Sequence, residues 1–219
     1  MRRLVIVAFV FVVLSSVAAA GLKVSVVERP MGVKVGYPVG GTADFFAVFS
    51  DEPTTYTDIF TPTRGIHTLP MIKIVVLDDG NNRVILGRVD AIGMSELLTL
   101  RVAQYVEERT GENIYPYLFI SGTHTHSGPG RMAEFILWGI AMDTFLQEIF
   151  DDLKANLGEA IIEALKPENF RDAKIGYASR ELTDEDNIGM IHGDRRSSND
   201  ELYGHGYIEH TMNLSLIHI

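Results

Sequence analysis

The sequence predicts an α/β fold: a mixed sheet with at least one right-handed strand–helix–strand unit, and helices packed on that sheet. Three observations predict it. Residues 71–77 and 84–89 are apolar runs joined by Asp78-Asp79-Gly80-Asn81-Asn82, whose composition is that of a hairpin turn. An amphipathic stretch from Ser95 to Arg109 follows and leads to a third apolar run, residues 117–121. A strand, a helix and a strand in that order favour parallel pairing through a right-handed crossover.

Taken in order, the chain opens with Met1-Arg2-Arg3, an apolar run over residues 4–14, and Ala18-Ala19-Ala20 before Gly21. A basic start, a short hydrophobic core and an Ala-x-Ala ending describe a secretory signal peptide over residues 1–20. The run is too short for a membrane span, which needs about 20 residues. The expected location is therefore secreted or periplasmic, with no transmembrane segment after cleavage. Residues 21–219 then form the domain, and about 199 residues suffice for one hydrophobic core.

Leu22, Val24 and Val26 alternate as an edge strand would, residues 33–41 carry a Gly-Tyr-Pro turn, and residues 45–49 suit a short strand. The turn-rich stretch 61–67 delivers His67 just before the strand 71–77. Ser95 is placed to cap a helix with Leu97, Leu98, Val102, Tyr105 and Val106 on one side and Gly111 as its stop. Asp143 is placed to cap the longest helix, whose apolar positions Leu146, Ile149, Phe150, Leu153, Leu157, Ile161 and Ala164 recur every three or four residues until Pro167 ends it. Residues 173–179 read as a strand. Residues 182–206 read as a long polar loop carrying Asn187, His192, Arg195, Arg196, Tyr203 and His205. Met212, Leu214 and Leu216 alternate as in a strand just begun.

The formal charge is −10, and removing Arg2 and Arg3 with the leader makes it −12, which argues against nucleic acid and anionic membranes as electrostatic partners. Without cysteine there is neither a disulfide framework nor thiolate chemistry. A Gly-rich phosphate cradle, a Gly-x-Ser-x-Gly elbow and a His-Glu-x-x-His helix are all missing from the sequence.

Chemistry concentrates in Ser121-Gly122-Thr123-His124-Thr125-His126-Ser127-Gly128-Pro129-Gly130, where a strand empties into a Gly/Thr/Ser/Pro loop holding two histidines. Ligands collect at the carboxyl ends of strands in such sheets, and this loop lies at one. Histidines at i and i+2 of an extended segment point to opposite sides, so the pair shares one metal only if the loop bends sharply. His67 stands near a neighbouring strand end, as a third imidazole or as a turn lock. The Asp194-Arg195-Arg196 triplet suits a carboxylate clamp or a solvated surface.

Those residues carry a resemblance. The segment from Phe119 to Gly130 resembles the signature of the neutral/alkaline non-lysosomal ceramidase family, Gly65-Ile66-His67 resembles its Gly-Ile-His segment, and the stretch at Asp194-Arg195-Arg196-Ser197 is similar to its Asn-Arg-Ser/Arg segment with the Asn replaced. Thr57-Asp58-Ile59-Phe60-Thr61-Pro62 keeps part of the family's Asp-Ile-Thr-Pro-Pro opening. The resemblance implies a secreted zinc amidohydrolase that cleaves the N-acyl bond of ceramide to a fatty acid and a sphingoid base. It implies His124 as a Zn2+ ligand, His126 as the neighbour that binds substrate or assists proton transfer, and Arg195 or Arg196 as the substrate-contacting arginine. A sphingolipid or other N-acyl amide is the implied substrate, with transient contact to lipid surfaces. The family's second zinc histidine, glutamate and tyrosine have no match here, so the expectation is a partial catalytic domain that is inactive by itself. Two other readings stay open: a related secreted zinc hydrolase of another amide or ester, and a non-catalytic extracellular binding protein with a structural histidine loop.

Overall fold

The computed structural model describes residues 21–41, 54–181 and 211–218. The leader at 1–20, the strand expected at 45–49, and the polar loop with Arg195 and Arg196 lie outside the described residues.

The described part has two layers. A five-stranded sheet runs β4-β3-β2-β1-β5, built from β1 (Lys23–Pro30), β2 (Met71–Asp78), β3 (Arg83–Val89), β4 (Leu118–Gly122) and the two-residue β5 (Arg171–Asp172). β1, β2 and β3 pair antiparallel, whereas β3 and β4 are parallel. The sheet is therefore mixed, as the sequence predicts. Helix α1 (Glu96–Thr110) connects β3 to β4, the one-turn α2 (Gly139–Met142) comes after β4, and α3 (Gln147–Ala164) packs on α1 and on β1 and β2. A separate antiparallel pair, β6 (Lys174–Glu181) and β7 (Thr211–His218), gives the alternating segment at Met212 its partner strand.

Local chemistry explains the elements. The Ser95 hydroxyl accepts from the Leu98 N–H, and Gly111, at φ 76°, ends α1 in the left-handed region that glycine enters without a Cβ penalty. In the β2–β3 turn the Asp79 carboxylate accepts from the N–H groups of Asn81 and Asn82. The helices bury Leu98, Val102 and Val106 from α1 and Ile149, Leu153, Leu157 and Ile161 from α3 against Ile72, Ile74, Val76, Ile85 and Val89 of the sheet. At about 1.5–3 kcal/mol per buried aliphatic side chain, this layer is the main source of stability. The helices meet closely at Gly158, where any Cβ would collide with the Tyr105 ring.

Two expectations need correction. In β1 the helix-facing positions are Ser25 and Val27, register partners of Val76 and Ile74, and Val26 points the other way. Valines occupy both faces of this strand, so alternation alone does not fix its phase. The edge position also holds only in part, because Lys23 and Val24 pair with Asp172 and Arg171 of β5. Asp143, in turn, does not cap the longest helix. α3 begins after Leu146 with no side-chain cap, because the Asp143 carboxylate is engaged elsewhere.

Candidate active site

Parallel pairing puts the carboxyl ends of β3 and β4 side by side, so the segment after β3, Asp90-Ala91-Ile92-Gly93, becomes the floor on which the histidine loop lies. Backbone bonds fasten it there: Thr123 N–H donates to the Val89 carbonyl (2.9 Å) and His124 N–H to that of Ala91 (3.0 Å). The glycines of the motif are explained by this docking. A Cβ on Gly122 would stand 2.7 Å from the Ala91 carbonyl oxygen, and one on Gly128 would collide with the Asp90 carbonyl oxygen. Gly130 is tight against the Met142 carbonyl in the same way. The repeated glycines let two stretches of backbone touch.

His124 adopts φ 62°, uncommon for a residue with a Cβ. This is the sharp bend that the sequence reading makes the condition for the two imidazoles to approach each other. The ring centroids of His124 and His126 lie 5.2 Å apart at 79°. Nδ1 of His124 is 2.7 Å from the Ile92 carbonyl oxygen. A carbonyl only accepts, so Nδ1 carries the proton and Nε2 keeps its lone pair. This is the arrangement that orients metal-ligating histidines. His126 is exposed, and its ring passes Gly41, where a Cβ would stand 3.0 Å from Nδ1.

A cavity of about 320 Å³ adjoins the loop. Ser127, Gly128 and Pro129 form one wall, and Ile66, His67 and Thr68 line it too. The fold thus brings His67 to the flank of the histidine loop, where its Nδ1 lies 3.0 Å from the Thr68 hydroxyl. Tyr37 and Lys34, also in the lining, both donate to Asp152 of α3 at 2.6 Å. Burial pushes the Asp152 carboxyl up, but these two donors outweigh it and hold it below the usual carboxylate range.

Sequence reasoning missed the support beneath the loop. Asp143, 1% exposed and at φ 68°, accepts from the N–H groups of Asp58 (2.9 Å), Ile59 (3.3 Å), Phe60 (3.2 Å) and Thr144 (2.6 Å). Arg131, at φ 57°, donates Nε to the Thr144 carbonyl (2.6 Å) and Nη2 to Asp58 (2.9 Å). The Thr144 hydroxyl also donates to Asp58. This knot joins residues 58–60 to the chain leaving the histidine loop. The only signal for it in the sequence is Asp58 in its Asp-Ile-x-x-Pro setting. Among the described residues there is no group of three or more His, Asp or Glu placed to hold a metal ion.

The family model described as "Neutral/alkaline non-lysosomal ceramidase, N-terminal" matches residues 48–188. This chain belongs to that family. Its relatives include neutral ceramidase A of Dictyostelium discoideum, 32% identical over 107 residues (48% of this chain, 15% of that protein). Neutral ceramidase 3 of Arabidopsis thaliana is 31% identical over 132 residues (59% and 18%). The chain thus spans less than a fifth of the length of these curated relatives. Among solved structures, the neutral ceramidase of Pseudomonas aeruginosa superposes with a TM-score of 0.57 at 16% identity, covering 75% of this chain and 24% of that one. That likeness concerns the fold.

Proposed function

We propose that this ceramidase-family chain supplies part of the active site of a secreted, zinc-dependent amidohydrolase that cleaves the N-acyl linkage of ceramide. The observation that carries the reading is the His124 side chain: the Ile92 carbonyl holds its Nδ1–H and leaves Nε2 free at the surface of the signature loop. The donor chemistry fits one zinc ligand, since zinc takes neutral imidazole. Among the described residues no group of three or more His, Asp or Glu is placed to complete such a site. Bound zinc would polarise the amide carbonyl and acidify water.

The chain's own residues then have separate tasks. The Ala91 and Ile92 carbonyls fix the backbone and ring of His124. His126, with its ring 5.2 Å from that of His124 and exposed, is placed to pass a proton toward the leaving nitrogen. In the net reaction water adds to the acyl carbon, the C–N bond breaks, and a carboxylate and a protonated amine leave. Arg195 or Arg196 is the substrate-contacting arginine in this reading. The cavity walled by Ser127, Gly128 and Pro129 gives a mostly apolar recess beside the reacting groups.

His124→Ala tests the proposal in the full-length protein. The expected outcome is loss of bound zinc and of N-acylsphingosine hydrolysis with the fold retained. A variant that keeps its metal and activity, or one that unfolds with no change in metal content, overturns it.

A further inference from the structure

Asp90 stands one residue past β3 and bonds to β2, to β3 and to the histidine loop. Its N–H donates to the Met71 carbonyl (3.0 Å), which extends the β2–β3 ladder by one position. Antiparallel partners bonded in this way normally exchange two backbone bonds. Here the return bond goes to the side chain instead: Met71 N–H donates to Asp90 Oδ2 (3.0 Å). The Asp90 carbonyl is thereby released from the ladder and lies beside Gly128, where a Cβ would collide with it. The other carboxylate oxygen, Oδ1, accepts from Arg88 Nη2 (2.8 Å) and from the Thr123 hydroxyl (3.3 Å). These contacts reach two stretches that line the cavity. His67, Thr68 and Pro70 lead directly into Met71, and Thr123 leads through the two histidines to Ser127, Gly128 and Pro129.

We propose that Asp90 is a positioning residue of the active site, whose carboxylate sets the spacing between the stretch that carries His67 and the loop that carries His124 and His126. The proposal rests on the reading of that loop as part of a hydrolase. Two features separate this task from simple support of the sheet. Ending β2 needs a single acceptor, whereas Asp90 uses one oxygen on Met71 and the other on Thr123. The Thr123 hydroxyl bond also joins β2 to a set of three other bonds: Thr123 N–H to the Val89 carbonyl, His124 N–H to that of Ala91, and His124 Nδ1–H to that of Ile92. The two imidazoles bond elsewhere, to the Thr68 hydroxyl and the Ile92 carbonyl, so Asp90 acts on them through the backbone. Arg88 is half-exposed, and an exposed ion pair adds little stability, so its part is to orient the carboxylate.

Asp90→Ala removes both connections. Thr123→Val removes only the one to the histidine loop and keeps the shape of the side chain, and Thr123→Ser keeps the hydroxyl. In the full-length protein Asp90→Ala should lower kcat for N-acylsphingosine about ten-fold or more with a smaller change in KM, the size of effect typical of groups that hold a site's ligands from behind. Thr123→Val should show part of that loss, and Thr123→Ser should recover it. In metal-free, histidine-labelled protein, Asp90→Ala should displace the ring signals of both His67 and His124, and Thr123→Val those of His124 alone. A change in stability with kcat and both sets of ring signals kept would make Asp90 a support of the sheet and overturns the proposal. So would a Thr123→Val protein that matches wild type in both readouts. If Asp90→Ala does not fold, the two Thr123 variants carry the test. If the wild-type protein hydrolyses no N-acyl amide, the catalytic reading falls, and the ring signals of metal-free Asp90→Ala still decide the spacing: displacement of both sustains it, and displacement of neither rejects it.

Discussion

His124 gives its Nδ1–H to the carbonyl oxygen of Ile92 at 2.7 Å, a bond between the loop after β4 and the segment after β3. It exists because those strands are parallel neighbours and their ends coincide. Its consequence is a fixed tautomer. Long-range proton–nitrogen correlation spectra of the metal-free protein at neutral pH should show His124 protonated at Nδ1 and bare at Nε2. The reverse pattern would remove the geometric basis for His124 as a ligand.

Gly128 should not tolerate alanine. The added Cβ meets the Asp90 backbone, which cannot yield without lifting the loop from its floor, so Gly128→Ala is expected to cost about 1–3 kcal/mol or more. Gly176→Ala, in open space on β6, is the control and should be close to neutral. Denaturant midpoints of the two variants decide the matter, and equal midpoints would mean that the glycine is dispensable.

Asp143→Ala strips the acceptor from four backbone N–H groups. Leaving buried donors unpaired costs about 1–3 kcal/mol each at most, with partial relief from water, so a total loss of about 3 kcal/mol is expected. Asp143→Asn keeps one carbonyl oxygen and should lose less. If both substitutions proved neutral in urea unfolding, the knot would have no part in stability.

Tyr117 sets an alkaline limit. Burial, and then its hydrogen bond to Glu112 (2.5 Å), push the phenol from 10.0 up to about 12. A group whose folded pKa is raised favours the fold fully below its unfolded value and loses that contribution as pH rises through the folded one. Stability should therefore fall between about pH 10 and pH 12, and Tyr117→Phe should flatten that decline at the cost of one hydrogen bond, about 1 kcal/mol at neutral pH. Urea midpoints across this range would expose an error if wild type and variant fell in parallel.

The sequence was readable wherever a local rule acted alone. Ser95 and Gly111 bound α1 because capping and left-handed termination are decided within a few residues, and Asp79 with Asn81 and Asn82 marks the β2–β3 hairpin for the same reason. The paired strands and the position of the histidine loop followed from the order of elements. Asp143 was misread because its carboxylate turns from the nearby helix to N–H groups more than eighty residues away in sequence. The convergence of His124 and His126 was hidden because it depends on one positive φ at a residue with no intrinsic liking for it. Ser25 and Val27 reversed the phase of β1 because its valines satisfy either face equally well.

The glycines beneath the histidine loop separate two properties that a signature sequence usually merges. Gly122, Gly128 and Gly130 are required by contact between backbones, whether or not any imidazole beside them turns over a substrate. A descendant that lost His124 or His126 would still need all three to close its sheet end. Relatives that keep the glycine spacing but replace a histidine are therefore expected to retain this architecture.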